Sequence, residues 1–307
     1  MRAKDFLSIE QLTTDELARL ITLGLELKRH PASASGLLAQ RSIALVFQKP
    51  SLRTRVSFEI AALQLGGHCL YLSPAEVGLG ERETVPDVAR VLSRYVDGLV
   101  ARTFLHEDVE QLAQWATVPV INGLSDRSHP CQILADLLTI QERFDRVGDL
   151  TIAYVGDGNN VTRSFIEAAP LAGFRLRVAT PPGYGPDPVV VAAARRAGAI
   201  IELGNNAVDA VKGADVIYTD AWFSMGQEAE REARGAVFPP FQVSAELVGY
   251  ASPEAIVMHC LPAHRGEEIT DQAIEGPRSV VFDQAENRLH AQKALLVDLL
   301  AGDVAPR

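Results

Sequence analysis

Short apolar runs alternate with amphipathic helix patterns along nearly the whole chain, and this alternation is the feature that most constrains the fold. In the first half, strands are predicted at Ile43–Phe47, Cys69–Leu72, Leu99–Arg102 and Val118–Ile121, with helices at Leu52–Leu65, Val85–Val96 and Asp108–Trp115 between them. Strands that are separated by helices form βαβ units, in which neighbouring strands run parallel. The first half therefore predicts a parallel sheet covered by helices.

A second series of the same kind follows a long helical stretch at Cys131–Phe144. Its strands are predicted at Thr151–Val155, Leu176–Thr180, Ile200–Glu202, Val216–Thr219, Ile256–Met258 and Val280–Phe282. The chain has 307 residues, which is enough for two ordinary domains. We predict an α/β protein with two doubly wound parallel-sheet domains, residues 1–147 and 148–283. The last predicted helix fits against either half.

Charge and cysteine usage exclude several classes of protein. The formal net charge is −10, which argues against a nucleic-acid partner, since phosphate backbones require clustered Lys and Arg. Cys69, Cys131 and Cys260 fit neither a disulfide framework nor a metal motif, so a reducing compartment is expected. The N-terminus lacks a signal-peptide pattern, and no apolar run is long enough to span a membrane. We expect a cytoplasmic protein.

The segment Ser51-Leu52-Arg53-Thr54-Arg55 carries the strongest chemical signal, because it follows a predicted strand and opens a predicted helix. Ser51 is a favourable N-cap, and the first turn of a helix offers free backbone N–H groups to an anion. Arg53 and Arg55 oppose the helix dipole there unless an anion neutralises them. The pattern predicts a phosphate-binding site. Its alternative is a solvated helix start with surface arginines.

A second polar segment, His129-Pro130-Cys131-Gln132, also follows a predicted strand. Pro130 fits the first position of a helix, which places His129 at the cap. The helix dipole disfavours a cation there, so a neutral His129 is expected to donate a hydrogen bond to a carbonyl oxygen as charge develops on it. Gln132 fits the same role from the first turn. Taken alone, the segment better fits a capping histidine and a structural glutamine.

Residues 156–160 (Gly-Asp-Gly-Asn-Asn) partly match a dinucleotide-binding pattern after a predicted strand. Val161 stands where that pattern requires a third glycine, and Thr180 ends the next strand where an acidic residue is required. We therefore reject a nucleotide cofactor. The paired asparagines fit either a polar substrate site or an Asx turn.

Three further positions remain ambiguous when each is considered alone. Asp220 follows a predicted strand and fits either an ammonium-binding group or a helix cap beside a buried Trp222. Cys260, next to His259, suggests a nucleophile, although a cysteine without a third catalytic partner more often packs. Arg288 is either a surface residue or a carboxylate clamp. Because these segments lie at the carboxyl ends of strands in both halves, the sequence predicts an active-site cleft between the two domains.

Together, these segments resemble the ornithine carbamoyltransferases of the aspartate/ornithine carbamoyltransferase family, and the resemblance covers nearly the whole chain. The segments that carry it are Ser51–Glu59, His129–Gln132, Gly156–Asn160, Asp220–Glu228, His259–Pro262 and Glu286–His290. Ser-Met-Gly at 224–226 and His-Cys-Leu-Pro at 259–262 are markers of the ornithine-type members.

The resemblance implies a transferase of arginine biosynthesis. Such an enzyme moves the carbamoyl group of carbamoyl phosphate to the side-chain amine of L-ornithine, giving L-citrulline and phosphate. The resemblance also implies a carbamoyl-phosphate domain at 1–147, an ornithine domain at 148–283, and a helix at 284–307 that returns to the first domain. The implied assembly is a homotrimer, and no cofactor or metal is implied.

The resemblance assigns roles to individual residues. Carbamoyl phosphate is expected to contact Ser51, Leu52, Arg53, Thr54, Arg55, Arg102, His129, Gln132, Cys260, Leu261 and Arg288. Ornithine is expected to contact Leu124, Asn160, Asp220, Ser224, Met225 and Cys260. Arg53, Arg102, His129, Asp220 and Cys260 are the expected catalytic residues.

The chain departs from the family pattern at two positions. Leu52 stands where many members have threonine, which removes a hydroxyl but no backbone donor. Gly78 stands near a glutamine that reaches carbamoyl phosphate from the neighbouring subunit in many members. Three other functions are open: a carbamoyltransferase for putrescine, acetylornithine or aspartate, a catalytically silent ornithine-binding relative, and, more distantly, a nicotinamide dehydrogenase.

Overall fold

The computed structural model describes residues 4–223 and 230–301, and the chain forms two units, each with its own sheet. One unit contains the chain up to Arg143 and from Glu286 onward, and the other is Phe144–Ala285. The first boundary lies before 147/148 because the helix that precedes it ends at Phe144. The second lies after 283/284, within the last helix. The prediction of two parallel-sheet α/β domains is confirmed.

The first unit is built around a parallel sheet with the strand order β2-β1-β3-β4. Its elements are α1 (Thr14–Arg29), β1 (Ser42–Phe47), α2 (Leu52–Gln64), β2 (His68–Leu72), α3 (Pro74–Val77), α4 (Val85–Leu92), β3 (Gly98–Arg102), α5 (His106–Trp115), β4 (Val120–Leu124) and α6 (Pro130–Phe144). Phe47 on β1 pairs with Arg102 on β3, which pairs with Leu124 on β4. The ends of these three strands are therefore level.

The second unit has a parallel sheet with the strand order β7-β6-β5-β8-β9. Its elements are β5 (Thr151–Val155), α7 (Asn160–Ala172), β6 (Arg175–Ala179), α8 (Pro188–Arg196), β7 (Ile200–Gly204), α9 (Ala207–Val211), β8 (Val216–Thr219), α10 (Arg231–Val237), α11 (Ala245–Val248), β9 (Ile256–His259), α12 (Asp271–Ile274) and the start of α13 (Val281–Leu300). Thr219 on β8 pairs with His259 on β9, so the segments that follow these strands start side by side.

Each sheet has one point at which the strand order changes direction, between β1 and β3 in the first unit and between β5 and β8 in the second. Ligands of open α/β sheets bind beyond the carboxyl ends of the strands at such a point. The polar segments after β1, β3, β5 and β8 are therefore placed where this fold binds ligands.

The central strands are covered on both faces, as parallel sheets require. Every residue of β3 and of β8 is buried. Helices supply the cover with one apolar face each; α1, for example, buries Leu17, Leu20 and Ile21 and begins with the predicted capping box of Thr13 and Glu16. Among the described residues, no helix is both long enough and apolar enough to cross a membrane.

Two predicted strands are misplaced. The strand predicted at Val118–Ile121 lies at Val120–Leu124, because the Asn122 side chain is buried and donates hydrogen bonds there instead of marking a loop. The strand predicted at Val280–Phe282 is the start of α13, and only Ser279 before it forms a single bridge to Val257. A short β-branched run fits both a strand and the first turn of a buried helix.

Candidate active site

The first turn of α2 has the geometry of an anion-binding site. Ser51 is the N-cap, and its Oγ accepts a hydrogen bond from the Thr54 backbone N at 3.3 Å. Thr54 is fully buried, whereas Leu52 is 75% exposed, so the first turn directs only some of its side chains into the unit. The N–H groups of a first helical turn lack partners within the helix and can donate to an anion.

Arg102, the last residue of β3, is a buried cation at the same strand ends. It is 5% exposed, and its Nε has no hydrogen-bond partner among the described residues. Burial, together with the charges of Arg288 and Arg53, lowers the pKa of Arg102 to about 10. Like charges gathered in a buried place are unfavourable by themselves, and they favour binding of an anion.

His129 lies at the start of α6 and is buried. Burial lowers its pKa well below 6.5, and the charges of Arg288, Arg102, Arg53 and Lys49 lower it further. The predicted neutral imidazole therefore follows from burial and neighbouring cations more than from the helix dipole. A neutral imidazole in this place can donate a hydrogen bond without adding another positive charge.

The loop that carries His129 is held by buried polar contacts that the sequence did not reveal. Ser125 donates its backbone N–H to the Ser128 carbonyl at 3.0 Å, and its Oγ lies 2.7 Å from His106 Nδ1. The Asn122 amide donates to the same Oγ at 3.2 Å. These contacts fix the path of the chain from β4 to α6, and with it the position of His129.

Arg288 on α13 joins two segments that are distant in sequence. Its Nη1 donates to Gln132 Oε1 at 2.8 Å, and its Nη2 donates to Thr54 Oγ1 at 2.9 Å. The Gln132 Nε2 donates in turn to Asp136 Oδ1 at 2.8 Å. Asp136 is buried, and sequence reasoning missed it because a carboxylate inside a helix is usually a surface residue. The hydrogen bond to Asp136 fixes the orientation of the Gln132 amide, which leaves its oxygen to Arg288.

Lys49, between β1 and α2, is a further cation that sequence reasoning missed. Burial lowers its pKa to about 8, with a further lowering by Arg102 and an opposing effect of Asp126. Its Nζ lies 5.1 Å from the centre of the Phe104 ring. A lysine before a proline reads as part of an exposed turn, so only its position next to the predicted phosphate segment was a usable signal.

The partial charge of Lys49 predicts how anion binding depends on pH. A lysine is charged below its pKa, so its charge in the free enzyme falls from about nine tenths at pH 7 to about one tenth at pH 9. The Kd for carbamoyl phosphate is therefore expected to rise over this range, by up to about tenfold. Isothermal titration calorimetry with carbamoyl phosphate alone, in the absence of an amine substrate, measures the Kd at each pH.

Two variants separate Lys49 from other titrating groups. Lys49→Arg keeps its charge at pH 9 and should bind with a Kd that is nearly constant from pH 7 to 9. Lys49→Met should bind weakly and equally at both values. A pH dependence that persists in Lys49→Met would assign the effect to another group.

Arg55 has other partners in this structure. Its Nε donates to Glu59 Oε1 at 3.0 Å, one helical turn away, and its guanidinium lies 3.9 Å from the centre of the Tyr71 ring. Both Arg55 and Leu52 are exposed. The contact between Arg55 and phosphate stays a prediction. The ion pair with Glu59 and the contact with the Tyr71 ring give Arg55 a structural role, and these contacts compete with phosphate binding. Arg53, by contrast, acts electrostatically on Arg102 and His129.

In the second unit, Asp220 directly follows β8 and accepts hydrogen bonds on both carboxylate oxygens. Oδ1 accepts from the Ala221 N–H at 2.8 Å and from the Cys260 thiol at 2.9 Å. Oδ2 accepts from the Asn159 Nδ2 at 2.7 Å. A carboxylate held in this way can pair with an ammonium group. The thiol of Cys260 is held beside Asp220 by its hydrogen bond to Oδ1.

The turn after β9 is fixed by a buried histidine and glutamate. The Leu261 N–H donates to His259 Nδ1 at 2.8 Å, so Nε2 carries the imidazole proton and donates to Glu268 Oε1 at 2.9 Å. Glu268 Oε1 also accepts from the His264 N–H at 2.6 Å. Leu261 has a positive φ of 57°. These contacts set the backbone at Cys260 and Leu261, where the resemblance expects the carbamoyl nitrogen.

Arg234 on α10 is another buried residue that the sequence did not single out. Its Nη1 donates to Asp157 Oδ2 at 2.8 Å and to the Trp222 carbonyl at 2.5 Å. Its Nε donates to Glu230 Oε2 at 2.9 Å. It therefore ties the segment after β5 to residues on both sides of 224–229. The predicted ornithine contacts Ser224 and Met225 lie outside the described residues.

The glycine-rich segment after β5 has a packing role in this structure. A Cβ at Gly158 would lie 2.4 Å from the Gly185 carbonyl carbon and 2.5 Å from the Pro186 nitrogen. The Gly158 N–H donates to the Tyr184 carbonyl at 2.8 Å. The partial dinucleotide pattern therefore reflects the close approach of this loop. Asn160 is the first residue of α7.

Metal-ligating groups come within 4.8 Å of one another in two places among the described residues, Asp220 with His259 and Cys260, and His264 with Glu267 and Glu268. In the first, both His259 ring nitrogens are already engaged by the Leu261 N–H and by Glu268. A metal at this place would have to displace one of these contacts.

Comparison with known proteins matches both units to one family. Residues 4–142 match the family model "Aspartate/ornithine carbamoyltransferase, carbamoyl-P binding domain", and residues 148–299 match "Aspartate/ornithine carbamoyltransferase, Asp/Orn binding domain". The ornithine carbamoyltransferase of Thermococcus kodakarensis is 53% identical over 308 residues, and the alignment covers 98% of each chain. That of Archaeoglobus fulgidus is 52% identical over 299 residues, covering 97% of each.

Solved structures give the same result. The ornithine carbamoyltransferase of Pyrococcus furiosus superimposes with a TM-score of 0.93 at 52% identity, covering 97% of each chain. That of Thermus thermophilus superimposes with a TM-score of 0.90 at 49% identity, covering 98% of this chain and 100% of the other. The chain thus belongs to the aspartate/ornithine carbamoyltransferase family, and the resemblance read from its motifs is confirmed.

Proposed function

We propose that this protein transfers the carbamoyl group of carbamoyl phosphate to the side-chain amine of L-ornithine, giving L-citrulline and phosphate. The observation that carries the proposal is the group of cations around a neutral His129, of which Arg102 and Arg288 are buried, with Arg288 bonded to Thr54 in the first turn of α2. Relatives of about this identity are named ornithine carbamoyltransferase, and one of them, from Pyrococcus furiosus, is named as anabolic. We place the reaction in arginine biosynthesis.

Carbamoyl phosphate binds to the first unit in this proposal. Its phosphate accepts hydrogen bonds from Ser51, from the backbone N–H groups of the α2 first turn that includes Leu52, and from Arg53, with Arg55 as a further candidate. The dianion offsets the repulsion among Arg53, Arg102 and Arg288, which explains why these cations are gathered in one place. Lys49 adds to this effect while it is protonated.

The carbamoyl group is polarised by neutral and cationic donors. Thr54 Oγ1 accepts from Arg288, which leaves its hydroxyl proton to donate to the carbamoyl oxygen together with His129 and Arg102. These donors stabilise the oxyanion that forms when the amine attacks the carbamoyl carbon. We assign Gln132 and the backbone of Cys260 and Leu261 to the carbamoyl nitrogen, as the resemblance implies.

Ornithine is recognised by the second unit through Asp220, Asn160, Cys260, Ser224 and Met225, and the resemblance implies Leu124 as a further contact. Asp220 pairs with an ammonium group of ornithine, and its fixed carboxylate orients the substrate. The attacking side-chain amine must be neutral, and a free alkylamine has a pKa of about 10. The cations around carbamoyl phosphate favour this neutral form. Phosphate leaves with the electron pair of the broken C–O bond and takes the proton that the amine nitrogen loses, so no covalent enzyme intermediate is needed.

An amine panel tests the proposed acceptor. The protein is incubated with carbamoyl phosphate and, in turn, L-ornithine, putrescine, N-acetylornithine or L-aspartate, and both phosphate and the carbamoylated amine are quantified. Ornithine is expected to have the highest kcat/KM of the four. A higher value with another amine would assign the chain to a different acceptor, and calorimetric binding of ornithine without phosphate release would indicate a silent relative.

We also propose that the protein is a homotrimer in the cytoplasm. The compartment fits the three cysteines, which are free thiols. The assembly is supported by an apolar stripe on α2 formed by Leu52, Val56, Ile60 and Leu63, which are spaced by helical turns and exposed in one chain. Gly78 has a φ of 52°, and a Cβ there would lie 2.7 Å from the Arg82 Cβ. This backbone disfavours a side chain at 78, so we propose no cross-subunit glutamine.

The stripe predicts how the assembly can be disrupted. The double variant Val56→Glu/Leu63→Glu should convert the trimer to monomers, because burying two carboxylates in an apolar interface is strongly unfavourable. Sedimentation velocity measures the mass, and circular dichroism checks the fold. The matched control is Val189→Glu, a 71% exposed position on α8 of the second unit, which should remain trimeric. A trimeric double variant would place the interface elsewhere.

A further inference from the structure

Asn159, the residue before α7, lies between the helix and Asp220. Its Oδ1 accepts hydrogen bonds from the Val161 N–H at 3.0 Å and the Thr162 N–H at 3.1 Å, as an N-cap does. Its Nδ2 donates to Asp220 Oδ2 at 2.7 Å. The capping role explains the first two contacts, but it does not require the third.

The orientation of the Asn159 amide is determined by its neighbours. The Tyr154 hydroxyl lies 3.2 Å from Oδ1 and is a third donor to it. Three donors on one side require the oxygen there, so the amide nitrogen must face the carboxylate. A flipped amide would place two donors against each other and an oxygen against Asp220.

Tyr154 gives this arrangement a rigid base. The side chain is fully buried and stacks on Tyr218, with ring centres 5.7 Å apart and ring planes 17° from parallel. Burial raises the pKa of the Tyr154 phenol well above 10, so the hydroxyl keeps its proton and can donate. A continuous series of contacts therefore links the packed core of the second unit, through Asn159, to the Asp220 carboxylate.

We propose that Asn159 is a positioning residue of the acceptor site, which holds the Asp220 carboxylate in the orientation that receives the ammonium group of ornithine. Asp220 Oδ1 is fixed by the Ala221 N–H and the Cys260 thiol, and among the described residues Asn159 donates to Oδ2. The inference rests on the proposed function, in which Asp220 binds ornithine, and adds to it a residue that does not itself touch the substrate.

The substitution Asn159→Asp separates positioning from capping. Aspartate is as good an N-cap as asparagine, so the contacts to Val161 and Thr162 persist. However, the donor to Asp220 is lost, and a second negative charge lies beside the first. The KM for ornithine is expected to rise by about 10- to 30-fold, with the KM for carbamoyl phosphate unchanged.

A matched control is available in the same unit. Asn206 caps α9 with the same geometry, since its Oδ1 accepts from the Val208 N–H at 2.9 Å and the Asp209 N–H at 3.2 Å, and it is exposed. Asn206→Asp should keep the parental KM for both substrates. Asn159→Ser keeps a capping oxygen but has neither amide donor nor charge, so its KM for ornithine should lie between those of the parent and Asn159→Asp.

The outcomes separate this inference from the proposed function. Turnover of ornithine by the parent tests the function, and its absence would overturn both. With an active parent, a parental KM for ornithine in Asn159→Asp and Asn159→Ser would overturn the inference alone. An equal rise in the KM for both substrates would also overturn the inference, because an equal rise would indicate that Asn159 has a general structural role. If Asn159→Asp does not fold, Asn159→Ser decides.

Discussion

Replacing Arg102 with methionine is expected to lower kcat by about a thousandfold and to raise the melting temperature of the substrate-free protein. Arg102 is placed to stabilise the oxyanion, and donors in that role typically contribute this much. Its guanidinium is buried beside Arg288 and Arg53, and its Nε has no partner in the described chain. Methionine removes this repulsion and fills similar space, so stability should increase, by about a few degrees.

A lysine at the same position is the matched comparison. Arg102→Lys keeps the charge and loses the planar, forked donor, so it should recover part of kcat without the gain in stability. Steady-state kinetics and differential scanning calorimetry of the three proteins measure both effects. Activity of Arg102→Met within tenfold of the parent would remove Arg102 from the catalytic residues. A lowered melting temperature would show that the arginine makes a net favourable contribution to the fold.

Replacing Asp220 with asparagine is expected to raise the KM for ornithine by about 100-fold or more, with little change in the KM for carbamoyl phosphate. The substitution keeps the shape but removes the charge that pairs with the ammonium group. It also places an NH₂ group either against Asn159 Nδ2 or against the Ala221 N–H and the Cys260 thiol, because each carboxylate oxygen now accepts from donors of its own. A donor without an acceptor in a partly buried site is unfavourable.

Asp187 offers the same chemical change without a substrate role. It caps α8, its Oδ1 accepts from the Val189 N–H at 2.8 Å, and it is exposed. Asp187→Asn should retain parental kinetics, whereas Asp220→Asn should not. Initial rates over a matrix of both substrate concentrations give the two KM values. An unchanged KM for ornithine in Asp220→Asn, or the same rise in both KM values, would contradict the assignment.

The sequence predicted the sheets well because their central strands are short, buried apolar runs. Thr151–Val155 and Val216–Thr219 have the predicted bounds, since each is an apolar run that ends at a turn. The prediction failed where polar residues are buried or apolar ones are helical. Asn122 reads as a loop residue but lies within β4, and Val281 reads as a strand residue but begins α13.

The anion-binding segment was predictable in place but not in detail. A helix start after a strand with two arginines indicates an anion site, but the spacing alone does not assign each side chain. Glu59, four residues after Arg55, was a readable sign of the ion pair that Arg55 forms. Lys49 and Asp136 were not predicted because their surroundings arise only in the tertiary structure, which partly buries Lys49 and fully buries Asp136.

The contacts of Arg288 have a consequence for protein synthesis. Thr54 and Gln132 are translated long before this arginine, and its guanidinium contacts both of them. A nascent chain on the ribosome can therefore form the sheet of β1 to β4 while its donor site still lacks one of its guanidiniums, because chains fold from the N-terminus as they emerge. Stalled or prematurely terminated chains should accordingly bind carbamoyl phosphate weakly. They therefore compete poorly with complete protein molecules for this metabolite.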